Sequence, residues 1–197
     1  MSDAPVSPLS PGAFALALPP DADLWVFGYG SLMWDPGFPY AEKRLALLRG
    51  YHRRFCIYSH RHRGTPERPG LVFGLDHGGA CRGLAFRVAA ADVPAALSYL
   101  WGREMSGAVY RPRLLPVRTE GGTVVPACAF VVDRDHPQYC RGLDLEASAA
   151  LIRQGVGGRG RNLDYLANTV EHLDQLGITD HGLRELLRVV RADNTYG

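Results

Sequence analysis

The chain is expected to adopt an α+β fold, and three observations lead there. Its first two thirds read as β-strands with a single helical interruption, and the last third, after His136-Pro137, reads as three helices. That order argues for segregated strands and helices rather than alternating βαβ units. Size agrees: 197 residues, 46% apolar and 21% charged, suit one globular domain with a substantial core and are short for two.

Residues 1–23 carry Pro5, Pro8, Pro11, Pro19 and Pro20 among Ser, Asp and Ala. Such a composition cannot bury enough surface to fold by itself, so a disordered tail is expected there and a single domain over 24–197. The apolar run Ala13–Leu18 is too short to span a bilayer and lacks the basic region that opens a signal peptide. Runs rich in Val, Phe, Leu and Tyr predict strands at Leu24–Tyr29, Leu45–Tyr58, Leu71–Leu75, Cys81–Val88, Arg113–Arg118 and Val124–Val132. Between them, Asp92–Met105 has helical periodicity, with Asp92 as N-cap, Pro94 in the first turn and Gly107 as the stop. The later helices are expected at Leu145–Gln154, Asn162–Leu176 and Asp180–Arg191, with Gly177 ending the second.

The net charge of +2 is too small to imply nucleic acid or an anionic membrane through bulk electrostatics. Cys56, Cys81, Cys128 and Cys140 form no C-x-x-C pair, which predicts free thiols in a reducing, cytoplasmic compartment. His60 and His62 have no third ligand at a recognisable spacing, so no metal site is expected. There is no G-x-S-x-G and no cysteine placed as a nucleophile. Lys43 follows Glu42 rather than a glycine, which excludes a phosphate loop.

The residue that needs explaining is Glu104. Leu97, Leu100, Trp101 and Glu104 fall on one helical stripe, so a carboxylate faces the core near the negative end of the helix dipole. Burial and dipole both favour its protonated form. An ion pair with Arg103 or Arg111 is the competing account.

Three further segments are ambiguous when read locally. Phe27-Gly28-Tyr29-Gly30-Ser31-Leu32 is either a tight turn leaving a strand or a nest of backbone N–H groups for a small anion; Met33 replaces the third glycine of a dinucleotide fingerprint. Tyr58–Thr65, with Arg53 and Arg54 just before it, reads as a solvated basic loop, with RNA contact through arginines and Tyr51, Phe55 and Tyr58 as the alternative. Gly155–Asn162 reads as a flexible connection, or as an anion site at the start of a helix.

In order along the chain, these pieces resemble the ChaC family of glutathione-specific γ-glutamylcyclotransferases. The resemblance runs from Trp25 almost to the C-terminus, through Trp25–Trp34, His62-Arg63-Gly64-Thr65-Pro66 with Pro69-Gly70, Trp101–Met105 and Asn162–Leu166. It implies a closed barrel of mixed strands flanked by helices, and it implies neither metal nor cofactor. Glu104 matches the family's catalytic carboxylate. By the same resemblance Gly28, Tyr29, Gly30, Ser31, Leu32, Met33, Arg63, Tyr110 and Tyr165 are expected to bind substrate, with Arg63 on the glycine carboxylate of glutathione. Phe130 stands where some relatives have tyrosine. The implied partner is a small molecule, with no nucleic acid and no membrane; the sequence assigns no oligomeric state. The alternative is a non-enzymatic regulatory or RNA-binding module built on the Arg53–Arg63 segment.

Overall fold

The computed structural model describes residues 19, 21–105 and 107–192, so the expected tail falls almost wholly outside the described residues. Five strands, β1 (Leu24–Gly28), β2 (Glu42–Ser59), β3 (Gly70–Val88), β4 (Tyr110–Thr119) and β5 (Val124–Val132), close a barrel in the order β1-β3-β2-β4-β5. Sequential neighbours run antiparallel, whereas β5 lies parallel to β1, with Trp25 opposite Ala127, and parallel to β3, with Leu75 opposite Val131. The barrel is therefore mixed. Phe27, Leu48, Leu75, Phe86 and Phe130 of its strands are all fully buried in the core.

Two expected strands, Leu71–Leu75 and Cys81–Val88, are one. The polar stretch Asp76-His77-Gly78-Gly79 looks like a break, but Gly78 and Gly79 have φ of +104° and +67° and lie near a register shift of β2 around Gly50, at φ +83°. Glycines that admit positive φ let the ladder bend and continue. β4 starts at Tyr110, three residues earlier than expected, and brings that residue into the sheet opposite Val132.

Helix α1 (Val93–Glu104) buries Ala96 and Leu100 and carries Glu104 at its C-terminal end. Asp92 occupies the N-cap position but makes no side-chain cap; a short 3-10 turn, Ala90–Asp92, leads in instead. Helices α2 (Leu145–Gln154), α3 (Asn162–Gln175) and α4 (His181–Ala192) lie within a residue or so of the expected spans. Asp144 caps α2 by accepting from the Ala147 N–H at 2.8 Å, and Gly177, at φ +68°, ends the chain's run through α3.

Between α2 and α3 the expected flexible connection is a tight hairpin of β6 (Val156–Gly157) and β7 (Gly160–Arg161). Its N–H groups are spent inside the protein. Gly158 N donates to the Arg61 carbonyl and Arg159 N to the His62 carbonyl, each at 2.9 Å, so no anion site remains on those amides. The approach is close enough that a Cβ on Gly70 would overlap the Arg63 carbonyl, and one on Gly155 would come within 2.5 Å of it. Asn162, fully buried, completes the lock: its amide accepts from the Leu71 N–H at 2.5 Å and donates to the Leu71 carbonyl at 2.8 Å.

Asn162→Ala should cost about 2–4 kcal/mol, because two hydrogen bonds are lost and two buried backbone groups are left without partners. Urea denaturation checks this; a loss below about 1 kcal/mol would show that Asn162 is not the lock.

Candidate active site

A cavity of about 330 Å³ opens between the end of α1, the outer end of β2 and the β6–β7 hairpin, with Ser31, Arg63, Glu104, Tyr110, Arg159 and Tyr165 among its walls. A smaller annex of about 40 Å³ shares Ser31, Glu104, Tyr110 and Tyr165 and reaches under Tyr29, Gly30 and Leu32 to Phe73 and Phe130. The chain thus brings together Glu104 and seven of the nine expected substrate residues. Gly28 and Met33 do not line either space. Gly28 is where a Cβ would press on Leu32 and Phe86 at 3.2–3.3 Å, and Met33 is a buried core residue. Their contribution is to the shape of the turn.

That turn is a single 3-10 turn, Ser31–Met33, closed by the Met33 N–H on the Gly30 carbonyl at 2.9 Å. As at any helix start, its leading N–H groups have no carbonyl within the turn to bond. The turn is pinned at several points. Trp34 stacks on His172 of α3, with ring centroids 4.5 Å apart, and the Arg103 guanidinium donates to Ser31 Oγ at 2.8 Å and to the Asp35 carbonyl at 2.6 Å.

Arg103 is also the partner of Glu104, with Nε 3.2 Å from Oε1; both side chains are largely buried. Arg111, the other expected partner, pairs with Asp133 at 2.6 Å instead. Burial raises the Glu104 carboxyl above its ordinary range, and the charge of Arg103 only partly offsets this. The ion pair and the tightly held proton therefore coexist.

Three phenols surround the carboxylate. Tyr29 donates to the Phe130 carbonyl at 2.9 Å and Tyr110 to the Phe73 carbonyl at 2.6 Å, while Tyr165 packs between the Phe55 and Phe73 rings and the Arg63 guanidinium, whose carbon lies 4.8 Å from its ring centre. Burial pushes all three hydroxyls up, and the nearby Glu104 charge adds to it. They are neutral hydrogen-bonding groups. Phe130 supplies no hydroxyl, but the Tyr29 phenol reaches its backbone in the same part of the annex.

Arg63 is fixed rather than free, since Nη1 donates to the Arg159 and Arg161 carbonyls of the hairpin. His62, beside it on the cavity wall, is pushed down by burial and by the positive charges of Arg159, Arg61 and Arg63. The expectation for Arg53 fails: its side chain is 3% exposed and bonded to the Tyr29 and Arg82 carbonyls, because the strand turns it inward. Arg54 sits 3.6 Å from the fully buried Asp76, and Phe55 is buried, so the interleaved arginines and aromatics do not form an open RNA-binding platform. Sequence reasoning also missed Arg103 as an anchor of the turn and Arg159 as a cavity wall; the first partners a residue 72 positions away and has no local signal. Among the described residues, no three His, Cys, Asp or Glu side chains cluster as a ligand set, and no helix is long and apolar enough to cross a membrane.

Known proteins resemble this one throughout. The glutathione-specific γ-glutamylcyclotransferase of Escherichia coli K12 is 37% identical over 180 residues, covering 91% of this chain and 78% of its own. Human glutathione-specific γ-glutamylcyclotransferase 1 is 36% identical over 158 residues, covering 78% and 71%. A crystal structure of the yeast γ-glutamylcyclotransferase specific to glutathione superposes with a TM-score of 0.80 at 24% identity, over 87% of this chain and 96% of that one, and so shares the fold. The sequence model of the family described as ChaC-like protein matches residues 24–193, the whole barrel and all four helices: the chain belongs to the ChaC family.

Proposed function

We propose that this chain is a γ-glutamylcyclotransferase that cleaves glutathione into 5-oxoproline and cysteinylglycine. The observation that carries the reading is Glu104, a carboxylate whose proton burial holds tightly, on the wall of a cavity shared with neutral phenols and residues 30–32 of the turn. The names of the bacterial and human relatives support the substrate.

The substrate brings its own nucleophile. Glu104 takes a proton from the α-ammonium; the freed amine attacks the side-chain amide carbon, a C–N bond closes the five-membered lactam, and the carbonyl electron pair moves to oxygen. When that pair returns, the bond to the cysteine nitrogen breaks and the departing amine takes the proton back from Glu104. The second proton of the attacking nitrogen, made acidic by the new C–N bond, follows through the freed Glu104 carboxylate, so the lactam nitrogen keeps one hydrogen and cysteinylglycine leaves as the ammonium. Nothing is oxidised or reduced. A raised pKa brings the carboxyl nearer the working pH, which suits a group that must both accept and return a proton. Folding the substrate into an attack geometry contributes roughly 7–11 kcal/mol, which is why no serine or cysteine is needed.

In this reading the N–H groups of Gly30, Ser31 and Leu32 hold the α-carboxylate or the developing oxyanion. Tyr29, Tyr110 and Tyr165 line the glutamyl end. Arg63 has committed Nη1 to the hairpin, so the glycine carboxylate meets its other edge together with Arg159. Four buried, unpaired cysteines fit a reducing compartment such as the cytoplasm, where glutathione is kept as the thiol.

Purified protein should release 5-oxoproline from glutathione in the presence of a chelator, and Glu104→Gln should lower kcat by about 10²- to 10⁴-fold with KM little changed. A folded Glu104→Gln protein at near full activity would remove the mechanism. The same substitution tests the buried charge. A folded-state pKa raised above the unfolded one stabilises the protein fully below the unfolded value, and that stability is lost as pH rises through the folded pKa. At pH 7 the native protein therefore bears a penalty that glutamine does not. Glu104→Gln should melt at a higher temperature than the native chain at pH 7, with the gap closing as pH falls below about 4. A lower melting temperature at pH 7 would mean that the Arg103 pair, not burial, dominates.

A further inference from the structure

Arg53 lines neither the cavity nor its annex, yet it grips the turn beneath them. From β2 its guanidinium donates through Nη1 to the Tyr29 carbonyl at 2.6 Å and through Nη2 to the Arg82 carbonyl of β3 at 2.7 Å, while Nε faces Asp180, just before α4, at 3.4 Å. Taking a guanidinium out of water is costly, and of its four partners, which include Met33 Sδ at 4.0 Å, two are neutral carbonyls that an uncharged donor would satisfy. A charge at this place does something more than fill hydrogen bonds.

The peptide joining Tyr29 to Gly30 is trans, so its C=O and N–H point in opposite directions. Its carbonyl is turned to Arg53; its N–H is therefore turned away from Arg53. Gly30 lines the annex, and a Cβ on it would face the Phe73 ring at 3.7 Å and the Tyr165 hydroxyl at 3.8 Å. One amide thus has a buried cation on its acceptor end, and its donor end belongs to a residue of the annex wall. A charge-assisted bond to the carbonyl polarises the whole peptide and strengthens the N–H as a donor.

We propose that Arg53 is a positioning residue that acts through the Tyr29–Gly30 peptide, orienting and polarising the Gly30 N–H so that it binds a negatively charged substrate oxygen. This rests on the reading that the 30–32 amides receive that oxygen. Arg53 touches no substrate.

Arg53→Met strips both carbonyls and Asp180 of their donor at once, and loss of folded protein is one of its outcomes, so the test turns on Arg53→Lys, which keeps the charge but cannot span both carbonyls. The comparison variant is Val117→Ala, a core truncation seven residues along β4 from Tyr110, which lowers stability without touching the turn. In Arg53→Lys, kcat for glutathione should fall about tenfold or more with KM within about threefold, the pattern of an interaction realised in the transition state, while Val117→Ala keeps kcat within about twofold. In ¹⁵N-resolved NMR of the ligand-free proteins, the Gly30 amide proton should move upfield in Arg53→Lys and stay in place in Val117→Ala. An unmoved Gly30 amide overturns the proposal, as does a kcat no lower than that of Val117→Ala. If the unsubstituted protein does not cleave glutathione, the proposed activity is what fails, and the amide shift, which needs no turnover, still decides the role of Arg53.

Discussion

A carboxylate kept from water at the end of α1 is tolerable only beside a cation, and Arg103 supplies it at 3.2 Å. The same guanidinium reaches Ser31 Oγ, the Asp35 carbonyl and the Tyr99 hydroxyl, so its charge is shared among several acceptors. This arrangement leaves burial as the larger effect, and the Glu104 carboxyl stays raised. It also couples two parts of the site mechanically. The acid on α1 and the amides of the 30–32 turn are held by one planar fork, whose donors leave little freedom in their relative placement.

The other wall of the cavity rests on close backbone contacts and one side-chain amide. Residues 61–64, Gly70 and the β6–β7 hairpin meet where glycines leave no Cβ between them, and the Asn162 amide bonds both polar groups of Leu71 as a third strand would. The result places Arg61, His62, Arg63 and Arg159 around one opening. Like charges so close repel, and hydrogen bonds of Arg63 to two hairpin carbonyls help hold the cluster together. An anionic ligand relieves the remaining repulsion, which is a physical reason for a cation-rich rim opposite a single carboxylate.

Local periodicity made the helices and Glu104 legible. The stripe Leu97, Leu100, Trp101 and Glu104 needs only a 3.6-residue repeat, whereas the Asp144 cap of α2 came from the structure. Barrel closure was not legible in this way, because parallel pairing of β5 with β1 joins residues about a hundred positions apart; it was reached through the family resemblance. The break expected in β3 came from reading glycines as punctuation where they serve as bends. Arg53 misled for a related reason. Its neighbours in sequence are charged and its neighbours in space are carbonyls, and only the second fact decides where a guanidinium goes.

Proton traffic in the site is confined by what cannot titrate. Burial and the Glu104 charge hold the Tyr29, Tyr110 and Tyr165 hydroxyls protonated, so none offers a phenolate near neutral pH. The thiols are out of range as well: Cys56 and Cys128 are pushed up to about 12 and Cys140 to about 11, which leaves no thiolate to compete as a nucleophile. His62 is pushed down by burial and by its arginine neighbours, which disfavours any further positive charge on the rim. Glu104, whose carboxyl burial raises above its ordinary range, is thereby left as the proton-exchanging group on the cavity wall, and the proposed reaction asks for one such group.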